Sequence, residues 1–341
     1  MSLRIAYIGP AWGTSLHRAR ALERLGHTVS IIDPWSWLGK SKWVGRWQHH
    51  TGAFGVCIII KQRIIREVYA ARPDMIWVNQ GELLSASLMQ NLHSINVPIV
   101  NYANDNPFCS VNKYRFRKYK TALPFYDLIV VTFEDNVTQA MSVGAKKVMR
   151  VFMCADEKIH SQCELTTNDH TQFDNDVSYI SQWAPERGAF LAKLVGMGIP
   201  ISIWGDRWNK AKEWPILTPY WRGPGIYDRD YSKIIQCSKI SLCLLYKAAG
   251  NLHTNRSIEI PALGTLLCAE RSVEHQTLYD EGKEAIFFNN ADECADLCHK
   301  YLADNELRMD IARRGHERAL RNNLFNEPVM ASIIEAAMNV R

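Results

Sequence analysis

The 341-residue sequence has no apolar run long enough to cross a bilayer; purely apolar stretches such as Val56 to Ile60 and Leu128 to Val131 fall far short of the ~18 residues a span needs. Its start, Met-Ser-Leu-Arg-Ile-Ala-Tyr-Ile-Gly, reads as a strand entering a turn and lacks the basic stretch, apolar core and cleavage site of a signal peptide. Low-complexity, collagen-like and disordered compositions are excluded too, since 47% apolar and 22% charged residues are ordinary for a globular chain. Cysteine offers little chemistry. The nine are odd in number and scattered, and several (Cys57, Cys237, Cys243, Cys268) lie in apolar runs, where a reduced cysteine acts as a small hydrophobe. Cys294 and Cys298 sit four apart on a predicted helix, with no second Cys or His pair to complete a metal site. The expectation is a cytoplasmic protein without a structural metal.

What is present is size and alternation. The length exceeds the ~250–300 residues at which single cores stop growing, so two α/β domains fit. Residues 1–160 hold 20 Lys+Arg against 11 Asp+Glu, a balance of +9, while residues 161–341 hold 20 against 24, a balance of −4. An anionic surface or partner is therefore expected at the N-terminal half.

The opening reads as strand (Leu3 to Ile8), glycine turn (Gly9 to Gly13), helix (Ser15 to Leu25) and strand (Thr28 to Ile32), stopped by Asp33-Pro34, a βαβ unit of the doubly wound kind. The beat continues with strands at Met75–Asn79, Pro98–Tyr102, Leu128–Thr132 and Val148–Phe152, and helices at 56–71, 83–94 and 134–143. Residues 161–176 are polar and aperiodic, which predicts a linker. A second series follows, with strands at 177–180, 201–204, 240–245, 265–268 and 285–288 and helices at 187–197, 227–237, 256–262, 291–303 and 306–321. The domains are thus predicted at 1–160 and 177–325, followed by a last helix within 326–341. In such folds ligands bind outside the carboxyl ends of the strands.

The stretch from Asn251 to Phe288 gathers His253, Thr254, Asn255, Arg256 and Glu259 at the start of a short helix. A helix N-terminus offers amide donors and a positive dipole end to a diphosphate, and an arginine adds a bidentate contact. The alternative is a solvated helix capped by Asn or Thr. Asp228-Arg229-Asp230 has the shape of a metal-binding D-x-D, but its place after Gly225 at a predicted helix start reads as a cap, so no metal is expected.

From Asn251 onward the sequence resembles the C-terminal domain of group 1 glycosyltransferases, closest to the branch of the spore-maturation (CgeB-type) proteins. The resemblance rests on His253-Thr254, Arg256-Ser257, Glu259 to Ala262, Glu270-Arg271, Glu274-His275 and Glu281 to Ala285, and it extends to Pro185-Glu186-Arg187 and Ile203-Trp204-Gly205. About two-thirds of the chain is covered. It implies a GT-B fold, two Rossmann-like doubly wound α/β domains facing a central cleft, and a hexosyl- or pentosyltransferase using a nucleotide-sugar co-substrate without other cofactor or metal. It implies that Glu259 bonds the ribose hydroxyls and that Arg256 and Arg187 hold the diphosphate, with Asn251, His253, Thr254 and Ser257 completing the donor site. Where the wider group carries a first glutamate eight positions before the second, this sequence has Asn251, which cannot ionise.

The resemblance also implies that the last helix, roughly Glu327 to Met338, crosses back onto the first domain and that the N-terminal domain supplies acceptor contacts. The cleft-edge loop Gly9-Pro-Ala-Trp12-Gly13 could bring backbone amides close to a ligand. Asp105, in Asn104-Asp105-Asn106-Pro107, is the preferred base, with an Asx-type turn as the alternative; Glu82 and His17 are further candidates. Trp35, Trp37, Trp43 and Trp47 interleave with Lys40, Lys42 and Arg46, and five basic residues alternate with aromatics between Lys113 and Lys120. Both patterns suit an anionic membrane surface, nucleic acid or sugar stacking, or else a solvated loop. Two rival functions remain. One is an NAD(P)-dependent oxidoreductase: Asp33 ends the second strand where a dinucleotide's ribose-binding acid belongs, although the turn lacks G-x-G-x-x-G. A non-catalytic binding protein on a degenerate GT-B fold is the other.

Overall fold

The structure is a computed structural model and describes residues 2–38 and 56–339. Trp43, Trp47, Lys40, Lys42 and Arg46 lie outside the described residues, as does the side chain of Cys57. The chain divides into two compact units. The first falls within Met1–Met153, Tyr246–Asn251 and Phe325–Arg341, the second within Cys154–Leu245 and Leu252–Leu324.

The first unit carries β1 (Arg4–Ile8), β2 (Thr28–Ile32), β3 (Met75–Asn79), β4 (Ile99–Ala103), β5 (Leu128–Val131) and β6 (Val148–Arg150). They form one parallel sheet in the order β2-β1-β3-β4-β5-β6. Every residue of β3, β4 and β5 is buried, as expected of strands covered on both faces. Trp77 stacks between Tyr7 and Tyr102, with ring centroids 6.5 and 6.4 Å away, tying three neighbouring strands together. The order reverses between β1 and β3. Helix Asn326–Met338 packs on helix Gly13–Arg24, where Arg24 pairs with Glu327.

The second unit repeats the architecture. Strands β7 (Asn175–Ile180), β8 (Ile201–Trp204), β9 (Trp221–Gly223), β10 (Ser238–Cys243), β11 (Leu266–Glu270) and β12 (Ile286–Phe288) lie parallel in the order β12-β11-β10-β7-β8-β9. The reversal falls between β10 and β7, and in open parallel sheets ligands bind outside the carboxyl ends of the strands at such a point. Two doubly wound α/β units are therefore present.

Three local differences from the sequence reading have physical causes. The segment 161–176, expected as a linker, carries the helix Thr167–Phe173. Its stability comes from a capping box rather than an apolar face: Thr166 Oγ1 accepts from the Asp169 amide and the Asp169 carboxylate accepts from the Thr166 amide. Strand β9 escapes detection because three residues flanked by turns show no period. The helix expected from Leu83 begins at Ala86, because the Ser85 hydroxyl caps it by accepting from the Leu88 amide.

Eight cysteines are described and all are free. Cys268 meets Cys294 and Cys298, so the pair four apart on a helix does have a third thiol beside it, brought in from a strand. No helix among the described residues is long and apolar enough to cross a membrane.

Candidate active site

In the second unit the site is built on the loop after β7. Gly205 follows β8 with φ +146°, and a Cβ there would lie 2.0 Å from the Ser181 carbonyl oxygen, so only glycine permits this approach. Trp208 donates its indole N–H to the same carbonyl at 2.9 Å. Onto this fixed loop two arginines converge. Arg187, from helix Pro185–Gly196, donates Nη1–H to Ser181 Oγ at 2.8 Å and to the Gln182 carbonyl at 2.9 Å. Arg256, first residue of helix Arg256–Ala262, donates Nε–H to the Ile180 carbonyl at 2.7 Å and Nη2–H to Ser181 Oγ at 3.4 Å. Burial opposes the Arg256 charge, but Tyr231, Tyr179, Cys243 and Glu259 outweigh it and raise its pKa above the usual arginine value. Its Nη1 makes no hydrogen bond among the described residues. Two guanidinium groups at a sheet's switch point present donors and positive charge suited to a diphosphate.

Only some of the amides at the start of the same helix stand open: those of Asn255 and Arg256 bond to none of the described residues. Those of Ser257, Ile258 and Glu259 bond to the Thr254 and Asn255 carbonyls at 2.9–3.0 Å, and that of Thr254 bonds to Ser257 Oγ at 3.0 Å. Asn255 caps nothing with its side chain, which donates instead to the Cys154 carbonyl. The tight first turn consumes these donors locally, and the Asn255 and Arg256 amides remain with the guanidinium groups as the anion-binding features.

Glu259 is buried and held by two neighbours. The Tyr231 hydroxyl donates to Oε2 at 2.7 Å, and burial together with Glu259 holds that phenol well above its ordinary pKa. His160 Nδ1 accepts the Asp156 amide at 2.8 Å, which assigns the ring proton to Nε2, 3.5 Å from Glu259 Oε1. His253 is buried and bonded to Glu274, and Thr254 Oγ1 lies 3.3 Å from Cys243 Sγ. Asn251 falls in the first unit, at the end of the segment Tyr246–Asn251.

Ser257 is fully buried and its hydroxyl meets His275 Nε2 at 2.7 Å, while His275 Nδ1 meets the Glu270 carbonyl at 2.7 Å. The carbonyl can only accept, so Nδ1 carries the proton, Nε2 is bare and Ser257 donates. This chain ties the loop before helix Arg256–Ala262 to β11. Burial lowers the His275 pKa, so the folded protein prefers the neutral ring. On acidification the unfolded chain takes up the proton first. The stabilisation is therefore complete above about pH 6.5 and is lost as pH falls below it toward the depressed folded-state value. Thermal unfolding midpoints should fall between about pH 7.5 and 5.5, with a shallower slope in His275→Gln; equal slopes would refute the assignment.

In the first unit, Gly9 packs where a Cβ would come 2.8 Å from Asn79 Cβ, while Trp12 is exposed and Gly13 opens the helix with φ +57°. His17 is half-buried on that helix. The neighbouring Arg18, which sequence reasoning passed over, is buried: it donates to Asn79 Oδ1 at 2.9 Å and stacks 4.5 Å from the Tyr102 ring centroid. Asp33, the acid of the dinucleotide reading, accepts the amides of Ala11, Trp35 and Ser36 at 2.9–3.3 Å, pinning the glycine turn.

Asp105 and Glu82 are brought together by Arg115, which donates to Asp105 Oδ2 at 2.7 Å and to Glu82 Oε1 at 3.0 Å. The Asx turn at this corner is made by Asn106, whose Oδ1 accepts the Phe108 and Cys109 amides. The stripe from Lys113 to Lys120 is only partly a surface: Phe116 and Tyr119 are core residues, and Tyr114 is its exposed aromatic. Trp35 and Trp37 also pack against the core, with Arg63 over the Trp37 ring. Asp228 and Asp230 lie in the first turn of helix Asp228–Gln236, behind Tyr227 at the cap position, so they face the helix dipole rather than cap by a side chain.

Residues 187–331 match the family described as glycosyl transferase-like. Solved structures share the fold across the chain. Sucrose-phosphate synthase from Thermosynechococcus elongatus is 13% identical, with a TM-score of 0.70 and 99% of each chain covered. HepE from Anabaena, in complex with UDP-glucose, is 10% identical, with a TM-score of 0.68 over 98% of this chain and 100% of that one. A glycosyltransferase from Rickettsia africae is 14% identical, with a TM-score of 0.67 over 98% of each. No curated protein sequence matches the chain. The two units share the GT-B fold of these structures, and the segment matched by the glycosyl transferase-like family contains Arg187, Arg256 and Glu259.

Proposed function

We propose that this protein moves a hexosyl or pentosyl group from a nucleoside diphosphate sugar to an acceptor hydroxyl, with no metal or other cofactor taking part in the reaction. The observation that carries the reading is the convergence of Arg187 and Arg256 on Ser181 at the switch point of the second sheet. Glu259, oriented by Tyr231 and His160, is the ribose contact, and UDP-glucose, which HepE holds, is the first donor to test. The second unit takes the donor and the first the acceptor, with Asp105 as base. Membership of the CgeB-type branch, a cytoplasmic location and contact of the basic N-terminal half with an anionic membrane or nucleic acid belong to the same proposal. The dinucleotide alternative loses its acid, since Asp33 is engaged by three backbone amides.

Calorimetric titration with nucleotides, nucleotide sugars and NADPH tests this. A nucleoside diphosphate sugar is expected to bind, to bind less well to Glu259→Ala, and to turn over without added Mn(II) or Mg(II). A ligand at ~100-fold its Kd would raise stability by about 2.7 kcal/mol, which a thermal scan reads independently. Binding of NADPH alone, or turnover that strictly requires added Mn(II) or Mg(II), would overturn the reading.

A further inference from the structure

Outside the candidate active site, one cluster combines three different ligand types with open space beside it. His170 sits on helix Thr167–Phe173, Asp174 ends that helix, and Cys237 ends helix Asp228–Gln236. Their potential ligand atoms, an imidazole nitrogen, a carboxylate oxygen and a thiol sulfur, all lie within 4.8 Å of one another. They line a pocket of about 510 Å³ together with Asn175, Lys239 and Arg308. The pocket opens at the starts of β7, β10 and β11, whereas Ser181 and Glu270 mark the carboxyl ends of β7 and β11; the strands being parallel, the two places lie at opposite ends of the sheet. The cluster is therefore separate from the donor residues.

Its chemistry discriminates among uses. Burial, with Asp174 beside it, pushes the Cys237 thiol up to about 11, so it is no nucleophile at neutral pH. One nitrogen, one oxygen and one sulfur ligand suit a borderline dication, and the pocket leaves room for a water as fourth ligand. His170 Nδ1 and Asp174 Oδ1 are already 2.9 Å apart, and both side chains are more than half exposed, free to adjust. Tetrahedral zinc asks for ligand atoms about 3.4–3.6 Å apart, and those of the trio lie within 4.8 Å of one another. The three-thiol cluster of Cys268, Cys294 and Cys298, by contrast, is wholly buried in the core.

We propose that His170, Asp174 and Cys237 form a zinc-type dication site that clamps the helix before β7 to the end of the helix before β10. On binding, the Cys237 proton leaves to solvent, and His170 keeps its proton on the ring nitrogen that does not ligate. The role is structural, since the site stands at the far end of the sheet from the donor residues.

The test uses the full-length protein stripped of metal and titrated anaerobically with Co(II). One equivalent should give tetrahedral ligand-field bands and a thiolate-to-cobalt charge-transfer band, displaced by Zn(II), with a rise in the thermal midpoint. Cys237→Ser should abolish the charge-transfer band, and the surface variant His170→Ala, checked for folding by circular dichroism, should weaken binding at least ~100-fold, beyond the loss from changing an outer-shell partner. A wild type without the band, a band that persists in Cys237→Ser, or one lost in Cys298→Ser instead, would overturn the proposal. Donor binding is read separately by calorimetry, so failure here leaves the glycosyltransferase reading to its own test.

Discussion

An Arg187→Ala, Arg256→Ala double variant is expected to bind a nucleoside diphosphate about 10²- to 10⁴-fold more weakly than the wild type, each charged hydrogen-bonding contact being worth about 1.5–3 kcal/mol. Its affinity for the free nucleoside should change less than ~3-fold, because distant contacts add nearly independently. The contrast matters because both side chains also hold the loop after β7. Arg256 donates to the Ile180 carbonyl and Arg187 to the Gln182 carbonyl, so each truncation loses about 1 kcal/mol of stability without unfolding the unit. A merely structural role would weaken nucleoside and nucleoside diphosphate alike. A role in holding phosphate separates them, and Arg256→Lys, which keeps the charge but loses the planar fork, should fall between wild type and Arg256→Ala. Equal losses for both ligands would reduce the arginines to loop supports.

The alternation of strands and helices was legible in the sequence because parallel strands buried on both faces read as continuous apolar runs; β3, β8 and helices Val56–Ala71, Arg256–Ala262 and Ala291–Ala303 have the bounds expected. Elements held by polar chemistry were not. Helix Thr167–Phe173 has no apolar stripe, and its signal, Thr166 three residues before Asp169, is a capping pattern inside a segment that otherwise looks like a linker. In the site, Arg187 and Arg256 could be named from the motif, but their common partner Ser181 could not. A serine at the end of an apolar strand gives no sign until the sheet order puts β7 beside β10. Arg115 was hidden for a different reason. In the sequence it is one of five cations in a stripe, and nothing there shows that it turns inward to Glu82 while Lys113 faces solvent. Tyr231, His160 and His275 act through partners 28, 99 and 18 residues away, separations that no local period encodes.

That inward turn sets the second large effect. Asp105→Asn should lower sugar transfer, or donor hydrolysis to water when no acceptor is supplied, by ~10²–10⁴. Folding and donor affinity should stay near wild type. Asn keeps an acceptor oxygen for the Arg115 guanidinium, now 2.7 Å from Asp105 Oδ2, and the position is about a third exposed, so little packing is lost. Arg115→Ala should behave otherwise. Burial opposes the Arg115 charge, but Glu82 and Asp105 more than offset this and raise its pKa, a sign that the two carboxylates depend on it. Removing it leaves the 7%-exposed Glu82 carboxylate without this counter-charge. The expected destabilisation is about 1–3 kcal/mol, below the ~3–5 kcal/mol of a fully buried pair because the Arg115 side chain still reaches water. Denaturant melts and rate measurements on the two variants therefore separate chemistry from support. If Asp105→Asn turns over within ~3-fold of wild type, far above the floor expected for a lost base, Asp105 is only a counter-ion of Arg115. The base would then be sought at Glu82 or His17, the other ionisable candidates of that unit.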